Sequence, residues 1–457
     1  NHFINNKNRE RPKKQKTLIE VAPFYSSKYI IHMNIKKIVI CSLVMLLFIS
    51  CGGNDEPIID GGEHGDSGNT EQPTVAADPK WWGTEEILPT LADSSFCYYN
   101  RAFLLDRLNS KDGRIYYRHQ QETKDWSYFW NHALIILMVE DRYQCVGDES
   151  LKPLISELLY SFLEHEKNPS SNDTHDWTWN IFTDDLLWAG LAFIRGYQIT
   201  GEERFLEQAE WDWNHLYNQA YDDTYGGGLW WSVNKESKSG LSNNPAVSMA
   251  CYLYEATGKT IYLQRAKELF EWLYTHLYQP TGGVDENISG PEPGKLTNSY
   301  NVYNIGAFIE ACNALYQITK EPIYAETAKQ SIKYVMTECV TDEGIMSSHR
   351  YDGSWESEFA RGMGLFVHEN NLWNYETIYT KDRKPITYYD WMKLNAKVSW
   401  ERRNKDNLTC NEWAIRTPDA PIDAPSNRKV WSALEMVSMV VMNQITPEKN
   451  PMAISKE

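Results

Sequence analysis

From about residue 81 onward the chain alternates two kinds of helical pattern. In one kind apolar residues cover nearly every side, over roughly 126–139, 181–199, 244–256, 301–318, 359–372 and 430–444. In the other a single apolar stripe faces a charged side, over roughly 96–108, 151–166, 203–220, 261–278, 323–339 and 386–402. A helix apolar all round belongs inside a protein, and a striped one belongs at its surface. Strict alternation of the two kinds predicts an inner ring of six helices wrapped by an outer ring of six. That architecture is all-α, an (α/α)6 toroid.

An internal repeat supports the count. VGDESLKPLISEL from Val146, TGEERFLEQAEWDW from Thr200, TGKTIYLQRAKELFEW from Thr257 and TKEPIYAETAKQSIKY from Thr319 recur about every 57 residues. This period exceeds the common two-helix solenoid repeats and suits two helices of four to five turns with long loops. Strand signals are confined to loops such as Gly226–Trp231. In such a ring the loops entering the inner helices gather at one end and line a cleft.

One inner segment, WTWNIFTDDLLWAGLAFIRGYQIT from Trp177 to Thr200, carries the most chemistry. Asp184 and Asp185 stand at its helix start, with Thr183 as the expected N-cap. Adjacent carboxylates at the cleft mouth suit a pair about 5–5.5 Å apart, the spacing of a nucleophile and an acid/base in glycoside hydrolysis. Their repulsion splits the two pKa values. The plainer reading, acids complementing the helix dipole, is open on pattern alone. A second pair, Asp222-Asp223 in YDDTYGGG, reads as turn chemistry.

The chain of 457 residues has 42% hydrophobic residues, 18 Trp and 28 Tyr, enough for a large core and for rings that stack on sugars. A net charge of -17 argues against nucleic acid or an anionic membrane surface as partner. The eight cysteines show no C-x-x-C pair or His clustering, so neither a metal site nor a disulfide framework is expected. No cofactor is expected either, and a monomer is.

Residues 1–32 are basic and patternless and read as a non-native upstream segment before Met33. MNIKKIVICSLVMLLFISCGG then has the charged start and short apolar run of a signal peptide, too short to span a bilayer. Its end resembles a bacterial lipoprotein box, which makes Cys51 the lipidated mature N-terminus. Residues 52–79, rich in Gly, Asp, Glu and Pro, form a flexible acidic linker to a catalytic domain at 80–457. Asp55 and Glu56 resemble signals that carry Gram-negative lipoproteins to the outer membrane surface.

Five stretches in order, TDDLLWAGLAFIRGYQITGEERFLEQA, YGGGLWW, LSNNPAVSMACYLYEATGKTIYLQRAKELFEWL, LTNSYNVYNIGAFIEACNALYQIT and EFARGMGLFV, resemble glycoside hydrolase family 76. The resemblance implies an (α/α)6 toroid and a retaining endo-α-1,6-mannanase that uses no metal. It implies Asp184 as nucleophile and Asp185 as acid/base, with mannan as the partner.

Sugar contacts are expected by position and chemistry. Trp230 and Trp231 follow three glycines that let backbone approach a ligand. Asn243, Asn244, Tyr300, Asn301 and Asn304 begin inner helices, Trp177 and Trp179 precede the acids, and His349 with Trp355 precedes another inner helix. For each of these an ordinary cap or core role is the alternative. His132, His215 and His276 lie within helices and read as structural. The competing functions are another toroid enzyme, such as an unsaturated glucuronyl hydrolase or a sugar epimerase, and a surface lipoprotein that only binds glycan. Paired acids at a cleft helix disfavour the binder, which has no need of them.

Overall fold

The computed structural model describes residues 78–83, 88–347, 355–421 and 430–453. The signal peptide, Cys51, the linker up to residue 77 and His349 lie outside the described residues.

Twelve α-helices are found among the described residues, in the expected alternation. The inner ones are α2 (Phe129–Val146), α4 (Thr183–Thr200), α6 (Gly240–Thr257), α8 (Val302–Thr319), α10 (Trp355–Glu369) and α12 (Ser438–Ile445). The outer ones are α1 (Leu91–Phe103), α3 (Lys152–Glu166), α5 (Glu203–Ala220), α7 (Thr260–His276), α9 (Pro322–Glu338) and α11 (Tyr388–Glu401). Each inner helix packs on the next, and α12 returns to α2, which closes the ring. The outer helices pack against it, with α1 against α12 and α11.

The two helix classes differ in the way their sequences dictate. In α4 every residue from Thr183 to Gly196 is buried. In α5 burial falls on Phe205, Gln208, Ala209, Asp212, Trp213, Leu216 and Ala220, one helical stripe. Helices α8 and α10 approach closely where Gly306 and Gly362 face the other helix. A Cβ on Gly306 would stand 2.3 Å from the Phe359 nitrogen, and one on Gly362 would stand 2.2 Å from the Gly306 carbonyl oxygen.

Ions occupy the middle of the ring. Asp141 of α2 accepts from Arg195 of α4 at 2.8 Å and from Arg361 of α10 at 2.8 Å, and Arg361 also reaches Glu358 at 2.7 Å, all buried. Tyr252 of α6 donates to Glu310 of α8 at 3.1 Å. Burial raises the pKa of Glu140, Glu310 and Glu358. Where the inner helices end, Gln144, Arg195, Tyr252, Glu255, Gln317 and Glu369 line a cavity of about 340 Å³.

The opposite end, where inner helices begin, carries short strands. β1 (Leu104–Leu105) pairs with β2 (Tyr116–Tyr117). β3 (Ser237–Ser239), β4 (Asn287–Ser289) and β5 (Lys295–Thr297) form an antiparallel sheet in the order β3-β4-β5, with Lys238 opposite Ile288 and Ile288 opposite Leu296. A further hairpin, β6 (Glu376–Tyr379) with β7 (Lys384–Thr387), lies between α10 and α11.

Candidate active site

The start of α4 is built by two converging segments. Phe182 forms an antiparallel bridge with Ser232, the Thr183 N–H donates to the Trp231 carbonyl at 2.8 Å, and the Val233 N–H donates to the Ile181 carbonyl at 3.1 Å. Thr183 is therefore not the N-cap. Phe182 takes that position without a side-chain cap, and Thr183 is the first helical residue. The physical reason is that the first orphan N–H of the helix is satisfied by the neighbouring strand's carbonyl, which makes a side-chain cap unnecessary.

Asp184 and Asp185 follow directly, and only 5% and 8% of their surface is exposed. Burial lifts the Asp184 pKa to about 6, against the downward pull of the Trp231 side chain and of the N–H groups at the helix start. Burial pushes the Asp185 carboxyl well above the usual carboxylate range, and the charges of Asp184 and Glu166 add to the rise. Asn180 opposes it by donating its Nδ2 to Asp185 Oδ2 at 3.1 Å. Desolvation thus outweighs the dipole effect that favours ionised acids at a helix start. Because the Asp184 charge raises Asp185, Asp184 ionises first and Asp185 keeps its proton longer, so between the two titrations the pair holds one charged and one protonated carboxyl. Asp184 Oδ1 has no hydrogen-bond partner among the described residues.

The sequence-predicted sugar contacts separate into two groups. Trp231 is partly exposed, lies against Phe182 at 5.1 Å between ring centroids, and acts on Asp184. Trp179 and Tyr300 are open at 36% and 37% exposure, Trp179 donating its Nε1 to the Glu166 carbonyl at 3.1 Å. Asn301 is partly exposed and donates to Glu286. The helix of Trp355 begins at the same end of the ring, and its side chain lies outside the described residues.

Four others are turned inward. Trp230 is buried and donates its Nε1 to Asp222 Oδ2 at 2.7 Å. Asn243 is fully buried, accepting from the Leu229 N–H at 2.7 Å and donating to the Leu229 and Ser239 carbonyls. Asn244 donates to Asn304 Oδ1 at 2.7 Å, and Asn304 donates to the Asp285 carbonyl at 2.9 Å. These amides knit loops to helices, and the hydrogen bonds that hold them run to backbone and to each other. Alternation along an extended segment accounts for the tryptophans, since Trp230 and Trp231 point to opposite faces.

The three glycines also serve a different contact from the one expected. Gly228 has φ +81°, and a Cβ there would meet the Trp272 ring at 2.7 Å, so the backbone approaches a core indole. Trp177 is fully buried among Phe129, Phe162 and Phe193, with centroids 5.2, 5.5 and 5.5 Å away. His132 is buried with its pKa lowered to about 3 by burial, a structural residue as read.

Further residues near this end carry no sequence signal of their role. Asn180 sits in the loop before the helix and holds Asp185. Tyr128, at the N-cap of α2, is 47% exposed and packs on His119 at 4.6 Å. Asp222 is more than a turn residue, because Trp230, Lys235 and Lys238 all donate to its carboxylate.

Comparison with known proteins agrees with this architecture. No curated protein matches the chain by sequence. Among solved structures, an inactive double aspartate-to-alanine variant of the α-1,6-mannanase GH76A of Salegentibacter sp. HEL1_6, in complex with α-1,6-mannotetrose, is similar at TM-score 0.63. It shares 23% identity, with 78% of this chain and 97% of that one covered. A family 76 mannosidase from Bacteroides thetaiotaomicron VPI-5482 is similar at TM-score 0.61 and 19% identity, with 78% and 97% covered. Dfg5 from Chaetomium thermophilum, in complex with glucosamine, is similar at TM-score 0.55 and 14% identity, with 80% and 92% covered. At these identities the likeness speaks for the fold, the (α/α)6 toroid. Residues 67–453 match the sequence profile of glycosyl hydrolase family 76, and the chain belongs to that family.

Proposed function

We propose that the protein is a retaining endo-α-1,6-mannanase in which Asp184 and Asp185 do the chemistry. The observation that carries this is the split pair: two adjacent buried carboxyls at the mouth of α4, one near pKa 6 and the other well above the carboxylate range. A retaining glycosidase needs one charged and one protonated carboxyl at the same moment. The similar Salegentibacter α-1,6-mannanase is described as inactive once two aspartates are replaced, and it holds an α-1,6-mannotetrose.

In the first step an Asp184 carboxylate oxygen attacks the anomeric carbon. The C–O bond to the leaving sugar breaks, and the Asp185 proton passes to the departing oxygen. In the second step Asp185, now ionised, takes a proton from water as the water oxygen attacks the same carbon. The bond to Asp184 breaks, and both carboxyls return to their starting states. Trp231, Trp179, Tyr300 and Tyr128 offer apolar ring faces to successive sugars at the open end of the ring. The signal-like segment, Cys51 and the acidic linker support a lipid-anchored enzyme on the outer membrane surface, working on a mannan too large to import.

Time-resolved product analysis on unbranched α-1,6-mannan tests the reading. The expected result is a ladder of mannooligosaccharides of mixed length, with the α anomer formed first. Mannose alone at early times would exclude endo action, and the β anomer first would exclude retention.

A further inference from the structure

Lys238 stands at the centre of the loop that reaches the catalytic pair. Its side chain is fully buried in β3. The ammonium lies 2.7 Å from the Asp222 carbonyl, 2.9 Å from Asp222 Oδ1, 2.9 Å from the Thr224 carbonyl and 2.8 Å from the Gly227 carbonyl. It also stands 5.0 Å from the centroid of the Trp230 ring. Four oxygens and an aromatic face surround one point charge, as they would surround a bound monovalent cation. Burial pulls the ammonium pKa down and Asp222 pulls it back up.

The oxygens of this cage all come from residues 222–227, the segment that leads into Trp230 and Trp231. Asp222 passes the restraint on, since it accepts from Trp230 Nε1 at 2.7 Å and from the Thr224 N–H at 3.1 Å. At the far end of the segment the Trp231 carbonyl receives the Thr183 N–H, and its side chain bears on Asp184. The whole path, Lys238 to Asp222 to Trp230 to Trp231 to Asp184, runs through hydrogen bonds, ring contact and adjacent residues. Carbonyls turned inward on a common point repel one another, and without a cation the loop has no reason to hold that conformation.

We propose that Lys238 is a positioning residue for the reaction: its buried ammonium acts as a built-in cation that folds the 222–231 loop around itself and so fixes Trp231 against the Asp184 carboxylate. This rests on Asp184 being the nucleophile. A residue that merely adds stability lowers the melting temperature and leaves the pH profile of the surviving folded enzyme unchanged. A positioning residue moves the profile, because Asp184 loses the Trp231 contact that holds its pKa down.

The test is the pH dependence of kcat/KM on α-1,6-mannan for the full chain and for Lys238→Ala, with and without added methylammonium. The expected result is a fall in kcat of about 10- to 100-fold, the scale of a small misplacement of a reacting group. The acid limb is expected to move to higher pH, and methylammonium to restore both by refilling the oxygen cage. Lys238→Met, whose side chain fills the space without charge, should show the same loss and no rescue. Lys238→Ala combined with Trp231→Phe should shift the acid limb no further than Trp231→Phe alone.

A folded Lys238→Ala enzyme with the wild-type kcat and acid limb would overturn the proposal, as would rescue of Lys238→Met by methylammonium. Should Lys238→Ala fail to fold, Asp222→Asn breaks the same path at its next link and should move the acid limb upward, and an unmoved limb there would equally overturn it. Full activity in Asp184→Asn would instead defeat the reading of the pair itself, so the two failures are distinct.

Discussion

The two aspartates differ by one position in sequence and by protonation in the folded protein. Activity on α-1,6-mannan should therefore fall below about pH 6 as Asp184 takes up a proton, and fall again on the alkaline side where Asp185, raised well above the usual carboxylate range, loses its own. A kcat/KM profile with its acid limb two pH units lower would show Asp184 to be an ordinary exposed carboxylate. Trp231→Phe removes a contact that lowers the Asp184 pKa, so its acid limb should shift upward, measured in the same way.

Asp212 makes a separate stability argument. It is buried in α5, neither carboxylate oxygen has a hydrogen-bond partner among the described residues, and burial raises its pKa well above the usual range. The folded state thus keeps a proton that the unfolded chain releases. Stability from this group is full below about pH 3.9, the unfolded value, and is lost as pH rises toward the folded one. Asp212→Asn should raise the melting temperature at pH 7, by the equivalent of about 1–3 kcal/mol. The gain should shrink toward pH 4, and equal gains at both values would rule out the titration as cause.

At the scale of elements the twelve helices were legible because burial on all sides and burial on one stripe leave different sequence patterns. Their ends were less so: the pattern over 96–108 corresponds to a helix at Leu91–Phe103 with Leu104–Leu105 in a strand, that over 126–139 to Phe129–Val146, and the last inner helix departs as well. The apolar pattern runs from 430 to 444, while regular α-helix is found only at Ser438–Ile445, preceded by a 3-10 turn at Leu434–Met436. An apolar pattern reports burial and says nothing of hydrogen-bond register.

The partners of polar side chains at helix starts were hidden for a similar reason. Asn243, Asn244 and Asn304 stand at the cleft end in sequence, yet buried amides close to loop backbone are consumed by that backbone. Asn180 and Lys238 left no periodic signal, since one lies in a loop and the other in a three-residue strand. At the α8–α10 crossing, Gly306→Ala should cost about 1–3 kcal/mol or more, read by chemical denaturation, because its Cβ meets backbone that cannot swing aside. A neutral result would mean that the helices separate without loss.

At the scale of the molecule the ring has a polar axis that the sequence disguised. Asp141, Arg195, Glu310, Glu358 and Arg361 lie on helices that look apolar on every side, and only closing the ring brings their charges together. Asp141→Ala leaves two buried guanidinium groups without their shared partner and should cost about 3–5 kcal/mol. Thermal unfolding of that variant checks it, and an unchanged melting temperature would show that the arginines find other acids at no loss. The Asp184-Asp185 pair, at the start of an inner helix, takes its raised pKa values from burial, which the ring supplies.

Single Asp184→Asn and Asp185→Asn enzymes show most directly whether the two aspartates are the catalytic pair. The measurement is kcat/KM on α-1,6-mannan beside the affinity for α-1,6-mannotetrose. Each variant is expected to lose at least about 10³-fold in kcat/KM while still binding the oligosaccharide, since the amides keep the shape and remove the chemistry. Turnover at the wild-type rate in either variant would contradict the account and reduce that aspartate to a helix-start charge.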